Sequence, residues 1–348
     1  MLDPPPAAGM ARFADGFGRR VLLTVDTEEE FDWGKPFSAT EHGLEHVRHL
    51  RSFQEFSENL GVSPVYLVDW PIAHSPIARE VLGDAARRGT AEIGIQLHPW
   101  VNPPHDEEVN QHNSYAGNLS PQLERRKFVR LREAIEQDFG VTPLVYRAGR
   151  YGLGPQTAQL LAEQGVAVDT SVRSNFDYRA DGGADYSRHP LRPYWIGGDR
   201  RILELPLTTV YWGLLRKQGA MLEPLLGSVP FLGGMASRLG LLEKIPLTPE
   251  GVSAEEALRG IDMALDDDLP LLVLSFHSPS LAPGHTPYVI SERSVDSLYD
   301  WFREVYAYLG QRGVQNTTVA EIMEMVSLEN AQVASQDERL LAARPKHR

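Results

Sequence analysis

No cysteine occurs among the 348 residues, so disulfides, thiolate metal sites and a thiol nucleophile are excluded. Long runs of Lys or Arg are also missing. With 34 Lys and Arg against 47 Asp and Glu the formal net charge is −13, which repels a phosphate backbone and speaks against a nucleic-acid partner. No apolar stretch is long enough to span a bilayer, and the N-terminal MLDPPPAAGMARFADGFGRR has acidic residues and prolines where a secretion signal has a basic start and an apolar core. The expectation is a cytoplasmic protein without an integral membrane segment. Two glycine signatures are lacking as well. No Gly-x-Gly-x-x-Gly follows the first apolar run, which argues against a dinucleotide-binding domain, and no Gly-x-Ser-x-Gly elbow surrounds Ser275 or Ser278, which argues against a serine esterase of the α/β-hydrolase type.

What the sequence does have is an ordinary globular composition, 42% hydrophobic and 23% charged, long enough for one large α/β domain or two smaller ones. Apolar runs predict strands at 20–26, 64–69, 91–97, 143–147, 166–170, 201–206, 270–276 and 316–319. Helical patterns fall between them at about 42–60, 76–89, 121–138, 154–164, 253–266, 291–313 and 319–328. Ser120-Pro121 and Ser253 sit where N-caps belong, and Gly140, Gly165 and Gly313 where helices stop. Alternating apolar strands and helices imply a parallel sheet covered on its faces, and about seven to eight strands suggest closure into a (β/α) barrel rather than an open doubly wound sheet. The predicted organisation is a flexible N-terminal tail over 1–18, one catalytic barrel domain over 19–328, and a flexible C-terminal tail over 329–348. Residues 207–250 form an apolar insertion that does not fit the repeat and is read as a lid, extra core, or a surface for homo-oligomerisation.

Four apolar runs end in ionisable residues: 21–28 (VLLTVDTE), 91–100 (AEIGIQLHPW), 144–152 (LVYRAGRYG) and 271–278 (LLVLSFHS). Parallel strands deliver such residues to one rim, where barrel enzymes keep their chemistry. Asp26 and Glu28 are two apart on one strand, so both carboxylates point to the same side, where a pair can bind a divalent cation or divide base and ligand roles. His98 stands beside Trp100, an aromatic able to stack on a sugar ring, and His277 repeats the strand-end imidazole. Arg147 can hold a carboxylate bidentately. His42, His46 and His49 share one face of a predicted helix and are read as a solvated face. Residues 99–120, rich in Pro and Asn, suit a loop over the rim.

TVDTE, EIGIQLHPW, NSYAGNLS, RAGRYG and LSFHSPS, in this order, resemble the motifs of the polysaccharide deacetylase (NodB-homology) superfamily, specifically its WalW-like branch. The resemblance covers roughly residues 20–325. It implies a distorted (β/α) barrel and a metal-dependent hydrolase removing N- or O-acetyl groups from a carbohydrate, with a divalent metal, zinc by preference. It implies Asp26 as general base and His277 as general acid. Beside these, Arg147 is expected to hold Asp26 in its ionised form and Asp169, at the end of the GVAVD run, to orient His277, with Asp177 competing for that last role. The family's TFDD stands here as Val25-Asp26-Thr27-Glu28, which shifts the ligand role to Glu28. The family's H-[S/T]-x-x-H stands as Gln96-Leu97-His98-Pro99-Trp100, leaving His98 as the metal-binding imidazole. Gln96, His105 and His112 are the candidates for a third ligand. Trp100, Asn113 and Tyr151 are the expected substrate-binding residues. Two other functions fit the same residues: a carbohydrate-binding relative with altered catalysis, and a barrel amidohydrolase acting on a non-sugar C–N bond.

Overall fold

The computed structural model describes residues 1–32, 34–197, 202–227 and 232–326. In chain order its strands are β1 (Arg20–Thr27), β2 (Val65–Val68), β3 (Glu92–Leu97), β4 (Val145–Ala148), β5 (Val168–Asp169), β6 (Tyr194–Ile196), β7 (Ile202–Glu204), β8 (Thr209–Trp212), β9 (Glu243–Pro246), β10 (Leu271–His277) and β11 (Gln315–Asn316). The main sheet runs β10-β1-β2-β3-β4-β5-β7-β6, parallel throughout except at the β6–β7 edge, with β11 paired to the start of β1. Helices α1 (Leu50–Asn59), α2 (Trp70–Ala73), α3 (Pro76–Arg88), α4 (Pro121–Phe139), α5 (Thr157–Glu163), α6 (Gly219–Gly227), α7 (Leu232–Arg238), α8 (Ala254–Asp266) and α9 (Glu292–Gln311) follow, and 319–326 is also helical. The architecture is the expected distorted (β/α) barrel.

The helix ends are set by the signals read in the sequence. Ser120 Oγ accepts the Leu123 N–H ahead of Pro121, and α4 stops at Gly140 with φ 70°. Ser253 and Glu256 exchange side-chain and backbone hydrogen bonds in a capping box that opens α8. No helix among the described residues is long and apolar enough to cross a membrane.

Strand period decides which residues face the barrel axis. On β1, Val21, Leu23 and Val25 belong to the outer core beneath the helices, while Leu22 belongs to the inner core; Thr24, Asp26 and Glu28 continue its parity. On β10, Leu272, Leu274 and Phe276 pack outward, leaving Leu271, Val273, Ser275 and His277 within. The inner core is therefore apolar at the N-terminal end of the strands and becomes polar toward the C-terminal end. Gly94 on β3 is required inside the barrel: a Cβ there would meet Leu67 Cδ2 at 2.7 Å and the Val145 carbonyl oxygen at 2.9 Å.

Between β10 and β7 the described residues form no ladder. The wall is completed by chain entering and leaving a two-stranded β8–β9 hairpin: Thr208 N–H donates to Val273 O at 3.1 Å, Leu247 N–H to Thr208 O at 3.0 Å and Ser275 N–H to Leu247 O at 3.3 Å. This seam gives residues 207–250 a structural role that periodicity did not show. Val210, Ala236, Leu242, Ile245 and Leu247 are buried core, whereas Leu214, Met221 and Leu239 are exposed by 83%, 65% and 65%, so the stretch combines extra core with an apolar surface.

The N-terminal segment departs from the flexible tail expected over 1–18. Phe17 is buried in the inner core, stacked on Phe13 at 4.1 Å, Ala14 N–H donates to Met325 O, and Met10 bridges to Tyr194. Burial of its few large apolar side chains offsets the polar, proline-rich composition. The C-terminal tail expected over 329–348 lies outside the described residues.

Candidate active site

At the C-terminal end of the strands a cavity of about 420 Å³ opens, lined by Asp26, Glu28, Gln96, His98, Glu250 and His277 among others. The strand-end residues singled out from sequence thus converge on one space, as parallel strands require. Asp26 is 1% exposed. Its Oδ1 accepts from Arg147 Nη1, and Arg147 is fixed in turn by donating Nε to Thr170 O at 2.9 Å and Nη2 to Thr24 Oγ1 at 2.8 Å. The other carboxylate oxygen of Asp26 lies 3.5 Å from His277 Nε2. On the far side of that imidazole, Glu250 Oε2 lies 2.6 Å from Nδ1, and Glu250 Oε1 accepts from Ser280 Oγ at 2.6 Å. Burial works against the imidazolium, but the charges of Glu250, Glu28 and Asp26 outweigh it and push His277 up to about 10.

Glu28 and His98 form the second half of the site. Glu28 Oε2 lies 3.4 Å from His98 Nε2, and burial, outweighing the attraction of His277 and His98, pushes the Glu28 carboxyl up to about 8. His98 Nδ1 lies 2.9 Å from Glu29 Oε2, while Glu29 Oε1 accepts from Trp100 Nε1 at 2.6 Å and the Glu29 N–H donates to Asp69 Oδ2 at 2.7 Å. Burial raises both Glu29 and Asp69, the latter well above the usual carboxylate range, and the two carboxyls lie against each other behind the imidazole. The pair orients His98 with Nε2 toward the cavity, the arrangement that tunes a metal-binding histidine. Gly149 leaves room for the ring, since a Cβ there would meet His98 Cδ2 at 2.4 Å.

Two donor sets could hold a cation. Glu29, Asp69 and His98 offer donor atoms that all lie within 4.8 Å of one another, but these atoms are engaged in the hydrogen bonds just described. Glu28 and His98 Nε2 instead face the cavity, beside Gln96, whose Oε1 is buried without a hydrogen-bond partner among the described residues. Oxygen and nitrogen donors with one orphaned carbonyl fit a divalent cation.

Several expected site residues are placed elsewhere. Asp169 has the opposite parity to Thr170 and faces the outer layer, where it accepts from Ser171 Oγ at 2.7 Å and opposes Glu204 across the β5–β7 rung; burial raises both carboxyls, Glu204 strongly. Glu250, not Asp169, contacts His277. Asp177 binds Arg179 on an exposed loop. His105 and His112 are exposed and do not line the cavity, which leaves Gln96 of the three third-ligand candidates. Trp100 lines the cavity but is only 2% exposed, with His98 stacked at 4.3 Å and Phe37 packed at 4.7 Å, so most of its ring braces the histidine. Asn113 holds its own loop together by donating Nδ2 to Glu108 O at 2.9 Å, while Gln111 and Tyr115 of that loop line the cavity. Tyr151 does line it, stacked on Tyr178 at 5.6 Å. The loop is tied down by buried Lys127, which donates to Pro99 O at 2.9 Å and pairs with Glu107 at 2.8 Å. His46, read as part of a solvated helical face, is fully buried: Nδ1 lies 2.8 Å from Glu30 Oε1 and Nε2 2.9 Å from Ser278 Oγ.

Sequence reasoning missed Glu250, the bracing pair Glu29 and Asp69, and two cavity arginines, Arg150 and Arg173. Asp69 had the same signal as the others, an apolar run VYLV ended by an acid. Glu250 had none, because it sits in the irregular stretch after the hairpin.

The chain matches no family model and no curated protein. Among solved structures it is similar to a provisionally assigned polysaccharide deacetylase from Mycobacterium smegmatis, at 21% identity and a TM-score of 0.53 over 95% of this chain and 96% of that one. It is also similar to a 4-alpha-glucanotransferase from Thermococcus litoralis, at 12% identity and TM-score 0.47 over 88% of this chain and 40% of that one. A family 4 carbohydrate esterase from Streptomyces lividans, solved with acetate, follows at 10% identity and TM-score 0.42 over 88% and 95%. The first of these carries the comparison, and what it establishes is a shared fold.

Proposed function

We propose that this chain is an enzyme, a hydrolase that removes acetyl groups, as amide or ester, from a carbohydrate. The observation that carries this reading is the position of Asp26, clamped by Arg147 on one oxygen and 3.5 Å from His277 Nε2 on the other, at the rim of a barrel fold shared with a provisionally assigned polysaccharide deacetylase. A carboxylate beside an imidazolium is an acid–base pair, one partner able to accept a proton and the other to give one. Asp26 takes the proton of the attacking water. His277, kept charged by Glu250, delivers a proton to the departing sugar nitrogen or oxygen through Nε2. Arg147 is a positioning residue that fixes the angle of Asp26 through its own bonds to Thr24 and Thr170.

Glu28 and His98 Nε2, with Gln96 Oε1, are the residues that would hold a divalent cation, zinc by preference for this nitrogen and oxygen set. Such a cation, when bound, supplies an acidified water and polarises the acyl oxygen. Tyr151 and Tyr178 supply aromatic surface for the sugar. The exposed apolar residues Leu214, Met221 and Leu239 are read as a surface through which two copies associate.

Acetate release from O-acetylated xylo-oligosaccharides and N-acetylglucosamine oligomers tests the reading. Asp26→Asn should lower turnover by on the order of 10²–10⁴ with an unchanged melting temperature. Full activity in folded Asp26→Asn, or no acetate from any sugar with the wild-type protein, would overturn it.

A further inference from the structure

Besides the acids Asp26, Glu28 and Glu250, the cavity lining carries two arginines, Arg150 and Arg173. Neither makes an ion pair with a carboxylate among the described residues. Arg150 donates Nη1 to Ser114 Oγ at 2.6 Å and lies over the Tyr115 ring at 4.1 Å. Arg173 donates Nη1 to Tyr178 OH at 3.1 Å and lies over the Phe176 ring at 4.0 Å and the Tyr151 ring at 5.4 Å. Asp181 also lines the cavity and attracts Arg150, but it is exposed and makes no ion pair with it. Elsewhere this acidic chain pairs its arginines readily, as Arg147 with Asp26 or Arg88 with Glu58. Two guanidinium groups walled by tyrosine, with no carboxylate in ion-pair contact and only the exposed Asp181 near Arg150, are prepared for an anion that arrives with the ligand.

A second observation agrees. Arg150 and Tyr151 both have left-handed backbone, φ 54° and 60°, a conformation that costs non-glycine residues energy and persists where the surroundings impose it. A turn that needed only the backbone shape would be served better by glycine or asparagine. Bulky side chains are kept on this strained pair, and both line the cavity.

We propose that the acylated sugar taken by this cavity carries an anionic substituent, a carboxylate or a sulfate, received by Arg150 and Arg173 while the acyl group lies over Asp26. This rests on the deacetylase reading for the acyl group, though not for the anion. The arginines would supply what the net charge of −13 denies an anionic ligand, a local reason to enter.

Three O-acetylated methyl glycosides form the test: the neutral glucoside, the glucuronoside and the glucoside 6-sulfate. Wild-type kcat/KM should favour an anionic substrate over the neutral one by about 10- to 100-fold, as charged hydrogen bonds allow. Preference for the glucuronoside alone identifies a carboxylate, and preference for the sulfate alone a sulfate. Arg150→Gln with Arg173→Gln should bring the ratio close to one, while Arg173→Lys, keeping the charge, should retain part of it. Equal rates on all three, or a ratio that survives the double substitution, would overturn the proposal. Equilibrium dialysis of unacetylated methyl glucuronoside and methyl glucoside 6-sulfate separates the two readings. Binding lost in the double variant without acetate release in the wild type would remove the deacetylase and keep the anion site. Acetate release with binding of the neutral glucoside as tight as that of the anions would do the reverse.

Discussion

Glu250 grips His277 twice: its Oε2 lies 2.6 Å from Nδ1, and its Oε1 accepts the His277 backbone N–H at 3.2 Å. The double contact fixes the ring plane and turns Nε2 toward Asp26. It also holds the imidazole charged well above the pH at which a free histidine titrates.

Because the folded-state value of His277 is raised, the stability it contributes is fully present below about pH 6.5 and is lost as pH rises through about 10. Glu250→Gln removes the largest favourable charge and should move that loss to lower pH. The melting-temperature gap between wild type and variant should be widest at neutral and lower pH and narrow as pH rises through about 10; superimposable profiles would mean that Glu250 does not set the histidine.

As an acid, His277 matters most where the leaving group needs its proton. His277→Ala should slow hydrolysis of N-acetyl sugars by on the order of 10²–10⁴, with a much smaller effect on phenyl acetates whose leaving group departs unprotonated. Metal content should not change. Equal losses on both substrates would remove the histidine from the role of acid.

Metal uptake at Glu28 requires its proton to leave. With the carboxyl pushed up to about 8, zinc affinity should rise with pH up to about 8 and flatten above, with one proton released per ion in the rising range. Equilibrium dialysis gives the curve. Glu28→Ala and His98→Ala should each lower occupancy, and Glu29→Gln should weaken binding by about 10- to 100-fold through the orientation of His98. Wild-type occupancy in all three variants would place the ion elsewhere or exclude it.

Asp169 and Glu204 belong to folding rather than to catalysis. Burial and the neighbouring Asp169 push the Glu204 carboxyl well above its ordinary value, so Glu204→Gln, neutral and of the same shape, should leave stability within about 1 kcal/mol, while Asp169→Ala should cost about 1–3 kcal/mol by orphaning its partners. Turnover of the folded protein should be unaffected in both. A catalytic loss in Asp169→Ala with an unchanged melting temperature would restore it to the site.

The apolar surface on residues 207–250 gives a physical test of association. Light scattering should show the wild type as more than one copy, and Leu214→Glu with Leu239→Glu as a single copy, because a charge cannot enter a dry interface unpaired. A single-copy wild type would remove the surface from that role.

Much of this molecule was legible in the order of its residues. The parallel strands, the helix caps at Ser120 and Ser253, and the convergence of Asp26, Glu28, His98, Arg147 and His277 all follow from local period and from parallel strands ending at one rim. What escaped has physical causes. Asp169 stands one residue from inward-facing Thr170, and a two-residue period sends its carboxyl to the other side of the sheet. His46 shares its helical spacing with His42 and His49, but burial depends on β1 and the chain after β10 closing over it, which spacing along one segment does not encode. Glu250 is brought to His277 by hydrogen bonds between Thr208, Leu247 and β10, contacts far apart in sequence.

That seam divides the machinery by origin. Asp26, its arginine and the cavity-facing pair Glu28 and His98 ride on the barrel's own staves, while the carboxylate that grips His277 arrives on the return path of the β8–β9 hairpin. Under the proposed reaction, acid strength is therefore a transplantable trait: exchanging the hairpin and its flanks would change the charge beside His277 while leaving Asp26 and Arg147 untouched.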